Sequence, residues 1–148
     1  MKITDEQVAT LRAQLAGERR EHERRLEQLT TEEEKAAYGA LVTAALFEAI
    51  DRRFIKDGRA AEDDVVINFI AHQRAIHPNS ADLLDPTVAE NVILNALNKA
   101  PLGDFDGETL FGTQILLLAA LIGDADLAAK ELDEFLSKAR SEADAHLS

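Results

Sequence analysis

ILLLAALI, at residues 115–122, is apolar at every position, and YGALVTAALFEAI, at residues 38–50, is apolar at most of its positions. A helix that is apolar on several sides packs against neighbours on more than one face. The two stretches therefore predict two central helices, at about residues 107–122 and 32–56. A chain of 148 residues, of which 46% are apolar, is large enough to bury a core of this kind.

Capping and turn residues divide the rest of the chain into further helices. No stretch alternates apolar and polar residues between turn signals, so we predict no strand. The fold class is predicted to be all-α: a single multi-helix bundle of six to seven helices around two apolar core helices, in one domain over residues 1–148. The expected boundaries are a capping box at Thr31, stops at Asp57-Gly58 and before Pro78, an N-cap with a first-turn proline at Asp85-Pro86, a cap at Asp106 and a stop at Gly123-Asp124.

The first segment, about residues 4–29, carries only a narrow apolar stripe. Gly17 interrupts it, which predicts either one bent helix or two short helices with a hinge at this glycine. Residues 1–30 are therefore a candidate peripheral arm that packs on its own core or pairs with a second copy in a homodimer, and both interpretations stay open. The candidate interface residues are Leu11, Leu15, Leu26 and Leu29.

The charge of the chain is strongly and unevenly negative. Its 28 acidic and 16 basic side chains give a net charge of −12. This argues against nucleic acid as a partner, since phosphate binding needs clustered Lys and Arg, and against an anionic membrane surface. Residues 1–74 have a net charge of −3 and residues 75–148 of −9, so basic residues of the first segment could meet the acidic half of a neighbouring copy.

Composition and the first residues bear on compartment and on cofactors. The absence of Cys excludes disulfides, thiolate zinc sites, iron–sulfur clusters and a Cys nucleophile. Asp5 and Glu6 lie where a signal peptide would need an apolar core. The longest unbroken apolar run, Ile115 to Ile122, is shorter than the roughly 20 residues that span a bilayer. We therefore expect a cytoplasmic protein with no membrane segment.

Motifs of the common catalytic classes are missing from the sequence. There is no Glu-x-x-His pair, zincin motif, Gly-x-Ser-x-Gly, dinucleotide fingerprint or Walker loop. The turn around Asp104 and Asp106 fails as a calcium loop because its first and twelfth positions would be Leu and Thr. His72 and His77 lie about 140° apart on a helix, so they could cooperate only through a helix end and a loop carboxylate, Asp82 or Asp85. We predict no metal and no cofactor.

Several polar residues are placed by periodicity on inward faces. Glu48 and Arg52 form an i,i+4 pair on the first central helix, Gln73 points toward the apolar side of its helix, and Gln114 follows Thr113 in the most apolar helix. Buried polar groups must be hydrogen-bonded. Glu48, Arg52, Gln73 and Gln114 therefore either satisfy one another in a structural network or line a small-molecule pocket.

Asn91, Asn95 and Asn98 form a stripe on the outer face of their helix. Because Asn is a poor helix former, three in register indicate either a contact surface or a solvated face.

At Tyr38–Phe54 (YGALVTAALFEAIDRRF) and Thr113–Leu121 (TQILLLAAL) the chain resembles small acidic all-helical proteins of actinobacterial type that have no assigned function. The resemblance implies an all-helical fold and provides no catalytic residue to transfer.

Three functional hypotheses follow. The first is a non-enzymatic interaction or regulatory protein that self-associates; the second is a small-ligand binder with a polar-lined pocket; the third is an enzyme that uses His72 or His77 with a loop carboxylate.

Overall fold

The computed structural model describes residues 2–77 and 84–147. Over these residues the chain folds into seven helices and one very short hairpin, which confirms the all-α prediction. The helices are α1 Asp5–Leu15, α2 Arg19–Leu26, α3 Glu32–Phe54, α4 Asp63–Ile76, α5 Pro86–Ala96, α6 Gly107–Ala125 and α7 Ala129–Leu147; the strands are β1 Ile55–Lys56 and β2 Arg59–Ala60.

The chain divides into two compact units. Unit 1 comprises Met1–Glu48 and Ile122–Ser148, and unit 2 comprises Ala49–Leu121. The helices α3 and α6 contribute residues to both units.

In unit 1 the first segment forms two helices, which resolves the alternatives that the sequence left open. Gly17 has a φ of 79°, a left-handed conformation that glycine adopts without a steric cost, and the helices α1 and α2 end and begin on either side of it. A capping box at Thr4 starts α1: the Gln7 backbone N–H donates to the Thr4 hydroxyl, and the Gln7 side chain accepts from the Thr4 N–H.

Polar contacts fix the start of the chain against α7. The Ile3 N–H donates to Asp144 at 2.7 Å, and the Arg140 guanidinium donates to both the Ile3 carbonyl and Asp5. Near the other end of α1, Arg12 lies 2.6 Å from Asp133. Residue numbers rise along α1 as they fall along α7, so the two helices are antiparallel.

The prediction that the chain has no strand is wrong at one place in unit 2. Strand β1 pairs antiparallel with β2 in the register Ile55 to Ala60. The two turn residues, Asp57 and Gly58, have φ values of 53° and 74°. Positive φ at both central positions is the geometry of a tight two-residue hairpin, so Asp-Gly here turns the chain back on itself and α3 ends at Phe54.

Aromatic packing joins the end of α3 to α4 in unit 2. The rings of Phe54 and Phe69 meet edge to face with centroids 5.6 Å apart, and the Arg53 guanidinium lies 5.0 Å from the centre of the Phe69 ring. Lys99 adds a polar link, because its Nζ donates to the Ala61 carbonyl and to Asp63.

The asparagine stripe on α5 contacts the loop that follows the helix. Asn91 donates to the Pro101 carbonyl and accepts from the Gly103 N–H, and Asn95 donates to the Ala100 carbonyl. Asn98 ends the segment with a φ of 60°, the left-handed conformation that Asn tolerates better than most residues. Two of the three asparagines thus make an intramolecular contact surface.

The start of α6 agrees with the prediction from the sequence, and its end does not. As predicted, Asp106 caps its start, and the hydrogen bonds from the Thr109 backbone and side chain lower the pKa of this carboxyl. The predicted stop at Gly123-Asp124 is wrong, since the helix continues to Ala125 and Asp126 takes the left-handed conformation with a φ of 50°.

The buried face of α6 is narrower than the composition of the helix predicts. The buried positions cover about half of the helix circumference, whereas Leu116 is half-buried and Ala119 is exposed. Over the described ranges, 2–77 and 84–147, α6 is the one helix long and apolar enough to cross a membrane, judged by length and composition alone. Core helices of soluble proteins pass the same test.

Candidate binding groove in unit 1

A face of small residues on α3 forms one wall of a groove. Gly39 and Thr43 lie one turn apart, as do Ala40 and Ala44, so all four share one side of the helix. Because these side chains are short, they leave a depression along this side of the helix. Phe47 lies one turn further along α3, and its large ring, which is 43% exposed, closes this end of the depression.

Helix α7 forms the other wall. Ala143 is buried, and Glu142 and His146 lie at the exposed edge. Next to Phe47, Glu48 is buried and its Oε1 lies 3.0 Å from Lys138 Nζ. Because residue 138 of α7 lies beside residue 48 of α3, and residues 142–146 lie beside the earlier part of α3, the two helices run antiparallel along the groove.

The groove has a volume of about 340 Å³ and is lined by Gly39, Ala40, Thr43, Ala44, Phe47, Glu142, Ala143 and His146. This volume lies near the lower end of the range typical of small-molecule sites, about 300–1,000 Å³. Most of the lining is apolar, and the polar groups are one hydroxyl, one carboxylate and one imidazole. Such a lining can hold an apolar body and orient one polar or charged group.

The four ligand residues predicted from the sequence do not lie in this groove. Glu48 is buried in unit 1, where Lys138 is an ion-pair partner, while Arg52, Gln73 and Gln114 belong to unit 2. Arg52 is exposed and Gln114 is half-buried. The inward placement of Glu48 and Gln73 is as periodicity indicated.

Gln73 is the most unusual polar residue of unit 2. It is 4% exposed, and its Nε2 has no hydrogen-bond partner in the part of the chain that the structure describes. An unpaired buried amide typically costs about 1–3 kcal/mol. Thr113, which precedes Gln114, is also buried.

The four leucines predicted as an interface have different environments. Leu11 and Leu29 are buried, and Leu15 is half-buried beside a second depression. Leu26, at the end of α2, is 42% exposed. Of the predicted stripe, Leu26 is thus the residue that presents the largest apolar surface to a partner.

The second depression lies between the end of α1 and the connection from α6 to α7. It has a volume of about 350 Å³, and its lining includes Leu15, Leu127 and the charged residues Arg12 and Asp126. Arg12 pairs with Asp133, so its guanidinium already has a carboxylate partner.

The histidines predicted as alternative ligands are at the surface. His72 and His77 are both exposed. Asp85 serves as the N-cap of α5, accepting from the backbone of Thr87 and Val88, and Asp82 lies outside the described residues. Within residues 2–77 and 84–147, no three His, Asp or Glu side chains are grouped as a metal site.

No protein-family model, no curated protein and no solved structure matches this chain.

The groove was not predicted from the sequence, because the stretch at residues 38–50 was interpreted as a helix that packs on more than one face. A usable signal was present: Gly39, Ala40, Thr43 and Ala44 repeat small residues at helical spacing directly before an aromatic residue. This pattern allows close approach of another group, but it does not show that the space stays open.

Proposed function

We propose that this chain is a non-enzymatic interaction protein that associates with a second copy of itself through α2. The observation that supports this most directly is that α2 has no buried residue and that Leu26 presents an apolar side chain at its end. Seven of the eight residues of α2 are polar, so the helix has little apolar surface of its own to bury.

Helix α2 has ion pairs at the surface and one hydrogen bond to α1. Arg24 and Arg25 both pair with Glu21, and the hydrogen bond from Arg24 lowers the pKa of Glu21. His22 Nδ1 donates to the Thr10 carbonyl and attaches α2 to α1. Exposed ion pairs contribute little to stability, so a partner surface over Leu26 would add the apolar burial that α2 lacks.

Charge supports a second copy as that partner. Helix α2 carries four Arg against two Glu, while α7 exposes Glu131 and Glu134 on a chain with a net charge of −12. The arginines of one copy can therefore be steered toward the acidic surface of another.

Light scattering coupled to size exclusion, at tens of micromolar protein, tests this proposal. We expect a dimer at low salt that weakens in about 1 M salt, where charges are screened within about 3 Å. Leu26→Ser should convert it to a monomer, whereas Phe47→Ser, which removes an equally exposed apolar side chain elsewhere in unit 1, should not. A monomeric wild-type chain would overturn the proposal. A dimer that Phe47→Ser abolishes and Leu26→Ser leaves intact would also overturn it.

Location and kinship are also proposed from the sequence. We propose a cytoplasmic location because the chain has no Cys, and a kinship with small acidic helical proteins of actinobacterial type because of the core patterns at Tyr38–Phe54 and Thr113–Leu121. Neither nucleic acid nor a membrane is proposed as a partner, on the grounds of net charge.

A small-ligand site in unit 2 is the second candidate function. The observation that favours it is the buried, unpaired Nε2 of Gln73. Gln73→Leu would distinguish the alternatives: a stabilised variant means that the amide is a structural defect, and a variant that loses metabolite-induced thermal stabilisation means that it binds a ligand.

A further inference from the structure

We propose that the groove between α3 and α7 binds a small organic cation, a molecule with one aromatic ring or a short alkyl chain and an ammonium group. The inference does not depend on self-association, since Leu26 and α2 take no part in lining the groove.

The shape of the groove selects a small, mostly apolar body. Gly39, Ala40 and Ala44 leave space along α3, and a molecule lying there would cover Phe47, which is otherwise 43% exposed. Covering apolar surface is favourable, so the Phe47 ring is the main source of affinity. The volume of about 340 Å³ fits a single ring better than an extended ligand.

The charge of the groove selects a cation. Among the lining residues the formal charge at neutral pH is that of Glu142, which also interacts within the chain. A carboxylate has about four lone-pair sites, so it can accept from more than one donor. The surrounding unit is acidic as well, since residues 1–48 and 122–148 carry 10 basic and 17 acidic side chains. A carboxylate beside an apolar cleft favours an ammonium group and disfavours a carboxylate of the same size.

Polar groups in the groove can also orient the ligand. The Thr43 hydroxyl and the His146 imidazole lie among its lining residues, and each can accept a hydrogen bond. An ammonium group has three donors, so it can contact the Glu142 carboxylate and one of these acceptors together.

Three probes of nearly equal size test the proposal: phenethylamine, 2-phenylethanol and phenylacetate. Each is titrated into the ¹⁵N-labelled full chain while amide shifts are followed by NMR. We expect all shifts to centre on residues 39–47 and 142–146, with the amine binding about two- to fivefold more tightly than the alcohol, as one exposed ion pair allows. Phenylacetate should bind most weakly.

Two matched pairs of variants separate the contributions. Glu142→Gln should bring the amine down to the affinity of the alcohol, whereas Glu134→Gln, on an exposed position of the same helix outside the groove, should leave the preference intact. Phe47→Ser should weaken all three probes, whereas Leu26→Ser should weaken none.

Several results would overturn the proposal. These are an absence of shifts in the groove at millimolar probe, equal binding of phenylacetate and phenethylamine, or an equal loss of preference in Glu134→Gln and Glu142→Gln, which would reduce the effect to the overall charge. If Phe47→Ser fails to fold by circular dichroism, the Glu142 and Glu134 pair still decides. Self-association and groove binding fail independently, because Leu26→Ser tests the first and Phe47→Ser the second.

Discussion

Replacing Tyr38 by Phe should stabilise this protein, although it removes a polar group from a buried site. Tyr38 lies on α3, is 5% exposed, and its hydroxyl has no hydrogen-bond partner among residues 2–77 and 84–147. An unpaired buried hydroxyl costs about 1–3 kcal/mol relative to water, and Phe fills nearly the same volume. We expect Tyr38→Phe to raise the free energy of unfolding by about 1 kcal/mol and the midpoint of thermal unfolding by about 2–4 °C.

The same burial predicts how stability depends on alkaline pH. Desolvation raises the pKa of Tyr38 to about 12, against 10.0 for an exposed tyrosine. A group whose pKa is higher in the folded state contributes stability that is fully present below the unfolded pKa. That contribution is lost as pH rises from about 10 through about 12. A pKa difference of this size corresponds to roughly 3 kcal/mol, because each pH unit is worth about 1.4 kcal/mol.

The composition makes the assay unusually direct. The chain has one Tyr and no Trp, so near-ultraviolet absorbance during an alkaline titration reports the ionisation of Tyr38 alone. Urea denaturation of the wild type and Tyr38→Phe at matched pH values gives the stability difference, in which the titration of lysines cancels. A phenol that titrates near pH 10 in the folded protein, or a Phe variant that is about 1 kcal/mol less stable at neutral pH, would refute the reasoning.

Three further substitutions test other contacts, each by urea denaturation. Gly103→Ala should cost about 1 kcal/mol, because the new Cβ would lie 2.9 Å from the Phe105 ring, which must shift; an unchanged midpoint would contradict this contact. Thr4→Ala should cost about 1 kcal/mol through loss of the α1 capping box, and a neutral effect would mean that the helix start is held by other contacts. Lys138→Met should cost about 1–2 kcal/mol by leaving the buried carboxylate of Glu48 without this cation, less than the 3–5 kcal/mol of a fully buried pair because the lysine side chain is 57% exposed; a gain in stability would argue against the ion pair.

Helix starts were predictable from single residues, since a cap acts locally. Thr31 accepts from the Glu34 N–H, Asp106 accepts from Thr109, and Asp85 accepts from the backbone of α5, all as the sequence indicated. The same signature stands at Thr4 and Gln7, and it also forms a capping box. These contacts span at most three residues, so the rest of the fold does not alter them.

Helix ends were less predictable because they depend on which of several adjacent residues takes the left-handed conformation. At Asp57-Gly58 both residues adopt positive φ, which makes a hairpin where a simple stop was expected. At the end of α6 the glycine at 123 stays helical and Asp126 takes the positive φ. A glycine permits that conformation without requiring it.

The candidate groove could not be predicted from the sequence, for a different physical reason. Periodicity gives the direction of a side chain on its own helix, so it correctly placed Glu48 and Gln73 inward. It does not give what lies opposite that direction. Phe47 has the same apolar character as its buried neighbours and is nevertheless 43% exposed. Leu26 and Leu29, three residues apart, differ in the same way.

Ionic strength offers a test that treats the two proposed surfaces differently. A dimer that relies on the arginines of α2 should weaken steeply with salt, since several exposed charge pairs are screened together. Binding of phenethylamine in the groove involves one carboxylate, Glu142, and should lose only its small advantage over 2-phenylethanol. The apolar part, which rests on Phe47, should remain or strengthen when the salt is sulfate, because excluded salts favour burial. Salt sensitivity should therefore be steep for association and shallow for the groove, and the opposite order would contradict both assignments.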